Sequence, residues 1–390
     1  MEDVQMKRLM AFVKHHSLLC VATLTFLILP ALAFAQATDE GLQYQMSNDG
    51  NITITGYSGT NAKVEIPSEI DGHAVTAIGN GAFSNNKTII DITIPEGVIS
   101  IGNGACSECH LLENVALPST IKIIGEGAFK NSYMLKSIEI PEGVTSIEDY
   151  TFYNCMELQE AILPKSLKSI GYGSFCGNSL KSIDLPQGLE SIGVEAFVGS
   201  QKLENLTIPN SVKDMKYWVF HGCPLLKSVV LPAGLSKLSY GLFYDCPNLE
   251  KVVIPKSVKS INSSSMFDGS YKVNVWGFSG SAAEKLAKKL NLPFVAIDPV
   301  KEVLLQYGDE KINGGKLAID LASDNKTLQL TAQTSPESPW PDVTWKSSNA
   351  KVASVDTNGL VTGLKKGMAT ITATAIDGSG KKVSCEINVK

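Results

Sequence analysis

Apolar and polar positions along most of this chain follow one long, fixed period. A proline closes an apolar triplet at Pro95, Pro118, Pro141, Pro164, Pro186, Pro209, Pro232 and Pro255, at steps of 23 or 22 residues. An apolar residue follows each proline by 11 positions: Cys106, Phe129, Phe152, Phe175, Phe197, Phe220, Phe243 and Met266, with Phe83 as an earlier copy. One copy reads Leu-x-x-Ile-x-Ile-Pro-x-x-Val-x-x-Ile-Gly-x-x-Ala-Phe-x-x-Cys. Self-similarity at such a period is the signature of a solenoid.

Each part of the repeat has a physical reading. The Ile-x-Ile alternation is a short strand with one buried face. Proline ends it, having no N–H for a ladder. The Val and Ile that follow return inward on the other side. Glycine after Ile permits a tight bend, and Ala-Phe fills the coil. No copy can bury its apolar face alone, so stability becomes a sum over neighbouring coils. Nine aromatic slots imply about nine coils of 22–23 residues. At about 4.8 Å per coil the stack is on the order of 43 Å long.

The repeated Ile-Pro-x-x-Val-x-x-Ile-Gly-x-x-Ala-Phe resembles the BspA-like leucine-rich repeats of bacterial surface proteins, over residues 52–298. The resemblance implies a secreted, ligand-binding solenoid without catalytic residues. Residues 36–66 read as its N-terminal cap, with Asn48-Asp49-Gly50 turning between two alternating runs. The solenoid with its C-terminal cap occupies 67–298. There the strand rhythm of Val273 to Trp276 loses its proline, and a helix is predicted over 282–290 behind Ser281 as N-cap. Residues 299–390 change to short strands with frequent turn signals, the pattern of a sandwich. Trp345, Asn358-Gly359 and Gly367 stand in a stretch similar to bacterial Ig-like domains of group 2, which implies a spacer or adhesive module. The fold class expected is therefore a leucine-rich-repeat solenoid of parallel short strands, followed by an all-β Ig-like sandwich.

Residues 1–35 have the layout of a secretory signal peptide: Lys7, Arg8 and Lys14, then an apolar run, Pro30, and Ala33-Phe34-Ala35. The expected location is secreted or on the cell surface, with membrane contact only through the leader if it stays uncleaved. The 390 residues carry a net charge of −5, and the single arginine is Arg8. A mildly acidic chain without arginine outside its leader lacks the basic patch that phosphate backbones need, which excludes nucleic acid as a partner.

Seven cysteines follow the leader. Cys109, Cys155, Cys223 and Cys246 fall three positions past the aromatic slot, where other copies have Asn86, Ser132 or Ser200. A small residue suits the position, and free thiols are expected. Cys106 and Cys109 have CxxC spacing, but no second pair accompanies them and both occupy repeat slots, so no metal or cofactor is expected. The histidines His73, His110 and His221 lie in separate coils, and no nucleophile elbow occurs. Hence no catalytic residues are assigned and an enzyme is not expected.

Binding is the remaining class. The outward strand position becomes apolar at Val230, Val253 and Trp276. The bend before the slot reads Tyr172, Val194, Tyr217 and Tyr240, with Trp218 beside Tyr217. The residue after the slot reads His221, Tyr244 and Phe267. Aromatics are favoured contact residues at interfaces. Tyr217, Trp218, Tyr240 and Tyr244 are thus one candidate ligand-binding patch, and Val230, Val253 and Trp276 another. The expected function is adhesion or recognition of a host or bacterial surface macromolecule, a protein or a glycan. The alternatives are an accessory glycan-binding protein of a polysaccharide-uptake system and a structural spacer.

Overall fold

A computed structural model describes residues 36–390. The leader assigned to 1–35 lies outside the described residues. The chain opens with an antiparallel hairpin, Leu42–Met46 against Ile52–Tyr57. From there parallel strands stack in register: Lys63–Glu65 on Asp91–Thr93, then Asn114–Ala116, and onward to Asn274–Gly277 and Phe294–Ala296. A second parallel ladder of two-residue strands runs beside it, from Ser100–Ile101 to Ser260–Ile261. The result is a β-solenoid of about 11 turns. The excess over the nine expected comes from the C-terminal end, where the last two turns have a strand but no aromatic slot. Helix α1, Ala282–Leu290, closes the stack with Ser281 as N-cap, its hydroxyl accepting from the Ala283 N–H at 3.2 Å.

The aromatic slots form a continuous file inside the coil. Phe129, Phe152, Phe175, Phe197, Phe220 and Phe243 are fully buried. Successive rings from Phe129 to Phe267 lie 5.3–5.8 Å apart and tilt by 1–19°. Buried Cys106 interrupts the file between Phe83 and Phe129. The last slot corrects the sequence expectation. The ring over Phe243 belongs to Phe267, and Met266 supplies the carbonyl that accepts the Phe243 N–H at 3.1 Å. The bend after Pro255 is therefore one residue longer than in earlier coils. Phe267 is a core residue, 6% exposed, and not an outward aromatic.

The bends are hydrogen-bonded from coil to coil as tightly as the strands. Phe83 N–H donates to the Ala105 carbonyl at 2.7 Å, Phe129 to Thr151 at 2.9 Å and Phe152 to Ser174 at 2.8 Å. The slot carbonyl needs its own donor, and in six coils the residue three past the next slot provides it, while Asn178 and Ser200 donate to the slot carbonyl of their own coil. Cys109 Sγ donates to the Phe83 carbonyl at 3.0 Å, and Cys155 to Phe129 at 3.2 Å. Ser132 serves Cys106 at 2.8 Å, Cys223 serves Phe197 at 3.2 Å, and Cys246 serves Phe220 at 3.0 Å. The position thus selects a small hydrogen donor, which is why Cys and Ser interchange there. Size alone is only half of the requirement. All seven cysteines of the described residues are buried free thiols. Burial raises the pKa of six of them, to about 11 for Cys109, and keeps the S–H in place to donate, whereas the hydrogen bond with Cys223 lowers that of Cys246.

The glycine pairs of the repeat have two separate causes. At Gly102 an added Cβ would come within 2.7 Å of the main chain of the preceding coil, so the first glycine is required by close stacking. Gly104, by contrast, has φ +59 and is needed for a left-handed turn.

Residues from Glu302 onward form two facing antiparallel-rich sheets. Leu305, Leu330, Val361, Ile371 and Ile387 fill the space between them, a core distinct from that of the solenoid. Asp377, 3% exposed, accepts from the Val300 N–H at 2.7 Å and fixes the entry of the chain into this sandwich.

These contacts generate a test at Cys109. Cys109→Ser keeps a donor and should cost well under 1 kcal/mol, while Cys109→Val strands a buried carbonyl and should cost about 1–3 kcal/mol. The thiol also links stability to pH. Its folded pKa of about 11 lies above the unfolded value of about 8.5. Its contribution is therefore complete below the lower value and is lost as pH rises toward the higher. Urea midpoints between these pH values should fall less steeply for Cys109→Ser than for the parent, and equal slopes would refute the burial-raised pKa of the thiol.

Candidate functional site

Two faces were expected to carry ligand contacts, and the structure treats them differently. On the strand face, Val253 is fully buried and Val230 and Trp276 are partly covered. The cover is the Ig-like tail. Trp340, 2% exposed, packs with Val253 and lies 6.0 Å from the Phe278 ring. Its Nε1 donates to the Leu231 carbonyl at 2.7 Å, and Asn210 Nδ2 donates to Asp342 at 2.7 Å nearby. Lys251 holds its ammonium 4.2 Å from the Trp276 ring centroid. The expectation of an exposed patch at Val230, Val253 and Trp276 is corrected: those apolar residues join the tail to the solenoid.

The bend face is open. Tyr217 and Tyr244 are 39% and 38% exposed, and Trp218, His221 and Tyr240 are half-buried around them. Tyr217 and Tyr240 stack with centroids 5.2 Å apart, and the Trp218 ring stands edge-on to both. His221 lies 6.2 Å from Trp218 and 5.0 Å from Tyr244. The structure thus brings Tyr217, Trp218, Tyr240 and Tyr244 into one cluster.

A comparison between coils shows what is unusual here. Three positions before the slot, the early coils carry side-chain caps. Asn80 Oδ1 accepts the Asn103 N–H at 2.8 Å, Asn103 accepts that of Glu126 at 3.0 Å, and Asp149 accepts that of Tyr172 at 2.6 Å. From Tyr172 onward the same row reads Tyr172, Val194, Tyr217 and Tyr240, which cannot cap in this way. The next row is left-handed in every coil. Gly81, Gly104, Gly127, Gly173 and Gly241 occupy it, but so do Tyr150 at φ +57 and Trp218 at φ +58. Bulky residues are rare in that region and cost about 1–3 kcal/mol. Room is made for both: an added Cβ on Gly241 would come within 2.3 Å of Trp218, and one on Gly173 within 3.3 Å of Tyr150. Strain of this kind persists where surrounding structure supports it, and it clusters at binding sites.

A second aromatic group escaped the sequence reading. Tyr150, Tyr153 and Tyr172 meet edge to face at 5.6 and 4.7 Å, and Lys130 Nζ lies 5.1 Å from the Tyr150 ring centroid. The Tyr172 hydroxyl donates to Glu195 at 2.9 Å. The signal was present, since Tyr150 and Tyr153 occupy the same slots as Trp218 and His221. Farther toward the N-terminus, Leu111, Met134 and Met156 are exposed in successive coils, with His110 stacked on Tyr133 at 4.5 Å.

The chain matches the model of the BspA type leucine rich repeat region in six copies, over residues 62–178 and 145–274. Residues 322–387 match the bacterial Ig-like domain of group 2. Among solved structures, a leucine rich cell surface protein of Faecalibacterium prausnitzii is 22% identical, covering 69% of this chain and 96% of that one, with a TM-score of 0.38. The pneumococcal vaccine antigen PcpA is 16% identical over 68% of this chain and 99% of its own, with a TM-score of 0.39. Among curated proteins, a segment of 66 residues, 17% of this chain, is 44% identical to an uncharacterized protein of Clostridium acetobutylicum. A segment of 95 residues, 24% of this chain, is 40% identical to the lacto-N-biosidase of Bifidobacterium bifidum. The matches span 7% and 8% of those two relatives.

Trp218→Gly tests whether the aromatic serves the fold. Five other coils use glycine at this position, so removing the indole should leave the melting temperature unchanged or slightly higher. A left-handed non-glycine residue costs about 1–2 kcal/mol, and relief of that cost offsets the lost contacts. A fall of several degrees would show that Trp218 is needed for stability.

Proposed function

The chain belongs to the BspA-type leucine-rich repeat family, and from that premise we propose that it is a secreted or surface-displayed recognition protein. It holds a macromolecular partner against the bend face of its solenoid. Proteins with such repeats are typically found at the cell surface or secreted, and the two families matched are typically not enzymes. One observation carries the reading. The row that caps the coils as Asn80, Asn103 and Asp149 gives up that duty and becomes Tyr172, Tyr217 and Tyr240, beside a tryptophan held in a left-handed conformation. The fold gains nothing evident from the exchange, whereas rigid aromatic side chains are the favoured anchors of interfaces. The strand face is already occupied by Trp340, which leaves the bend face as the free surface of the C-terminal coils.

The recognition is by area and shape, with the tail docked as a rigid support. The test is binding of the labelled protein to epithelial cells, bacterial cells and extracellular matrix. Tyr217→Ala or Trp218→Ala should weaken the dominant interaction by at least about thirty-fold, the equivalent of a hot spot of about 2 kcal/mol. Tyr271→Ala, in the most exposed aromatic among the described residues at 86%, should bind as the parent does. Equal binding by all three variants would place the partner on another surface.

A further inference from the structure

Beside the aromatic row runs a groove of about 370 Å³, cut along the second strand ladder. Its floor is a file of short polar side chains in parallel register: Ser146 pairs with Ser169, Ser169 with Ser191, and Ser191 with Asp214. Gly171, Gly193, Tyr172 and Val194 also line it. Lys216, at its end, is followed directly by Tyr217, so groove and aromatic cluster form one continuous surface. Asp214 Oδ2 pairs with Lys216 Nζ at 2.7 Å. Its other oxygen, Oδ1, is shielded from solvent and has no partner among the described residues.

We propose that this groove takes a neutral glycan chain lying along the solenoid axis. The inference rests on the reading of the bend face as a recognition surface and names the class of ligand. Three properties of the groove select it. First, the charges are Glu148, Asp149 and Asp214 against Lys216 alone. An acidic groove repels sulfated, phosphorylated and uronic polymers. Second, the floor offers hydroxyls and one unsatisfied carboxylate oxygen, a set that accepts and donates hydrogen bonds to a polyhydroxylated ligand. An unpaired acceptor shielded from water costs about 1–3 kcal/mol, which a ligand hydroxyl would relieve. Third, the exposed lining of the groove is narrow and shallow, too small in area to seat the buried aromatic anchors of a protein interface. Tyr172 in the groove and Tyr217 in the adjoining cluster provide amphipathic rings for the C–H faces of sugars, and the Tyr172 hydroxyl is already tied to Glu195. The coil rise, about 4.8 Å, is comparable with the length of one pyranose ring, so a linear chain can repeat its contacts from coil to coil.

The experiment is titration calorimetry of the full chain lacking the leader. The probes are oligosaccharides of a linear β-glucan, a β-mannan and a galactan, with heparin and a matrix-protein panel beside them. A neutral oligosaccharide should bind, with little dependence on salt. Asp214→Asn and Ser191→Gln should each weaken it at least tenfold while circular dichroism and melting temperature stay those of the parent. Binding of heparin in preference to the neutral probes would overturn the proposal. So would neutral binding that both groove variants leave unchanged. A matrix protein that binds and is lost with Trp218→Ala, when no glycan binds, would overturn the glycan assignment and leave the recognition reading standing. If no probe binds and Trp218→Ala changes no interaction with whole cells, both readings fall.

Discussion

Every bend of this solenoid buries main-chain amides and carbonyls that water cannot reach and only the next coil can satisfy. An unpaired group of this kind costs free energy comparable to a lost hydrogen bond. That constraint explains most of the repeat. It sets the left-handed residues that aim alternate N–H groups at the following coil, as in Phe83 to Ala105 and Phe152 to Ser174. It selects a donor three past each slot, supplied as a thiol by Cys155 and as a hydroxyl by Ser132. It also places an Asn or Asp cap before the slot in the early coils. The stacked phenylalanines supply apolar burial, but the polar accounting decides which residues are allowed around them.

The proposed binding surface arises where a position is freed from this accounting. Up to Asp149 the row before the slot carries capping side chains at Asn80, Asn103 and Asp149. Beyond it Tyr172, Tyr217 and Tyr240 enter the row, and Trp218 takes a left-handed conformation that glycine holds in most other coils. The tail domain settles the other half of the question by geometry. Trp340 fills the apolar strand face, so the bend face is what remains open in the C-terminal coils. The likeness to BspA-type repeats and to group 2 Ig-like domains accounts for the architecture. The proposed ligand surface is particular to these coils.

Much of this was legible in the sequence because it is local and repeated. The coil period, the inward slots from Phe129 to Phe243, and helix α1 with its Ser281 cap follow from spacing alone. Three features were not. The donor role of Cys109 and Cys155 depends on a carbonyl in another coil, so the sequence shows only that the residue is small. The extra residue before Phe267 is hidden because Met266 is also apolar. The covering of Val253 depends on a tryptophan far along the chain, and no repeat pattern carries that contact. Tyr150 and Tyr153 were visible in their slots, and following every slot through every coil would have found them.

The central claim is that the aromatic row is surplus to the fold and devoted to a ligand. The most direct measurement restores the early-coil residue in the late coils: Tyr217→Asn combined with Tyr240→Asn, assayed for stability by urea unfolding and for binding to the partner. The account predicts unfolding midpoints equal to or above those of the parent, because Asn returns a cap worth about 1 kcal/mol, together with loss of binding. A chain that loses stability and keeps its binding would contradict it.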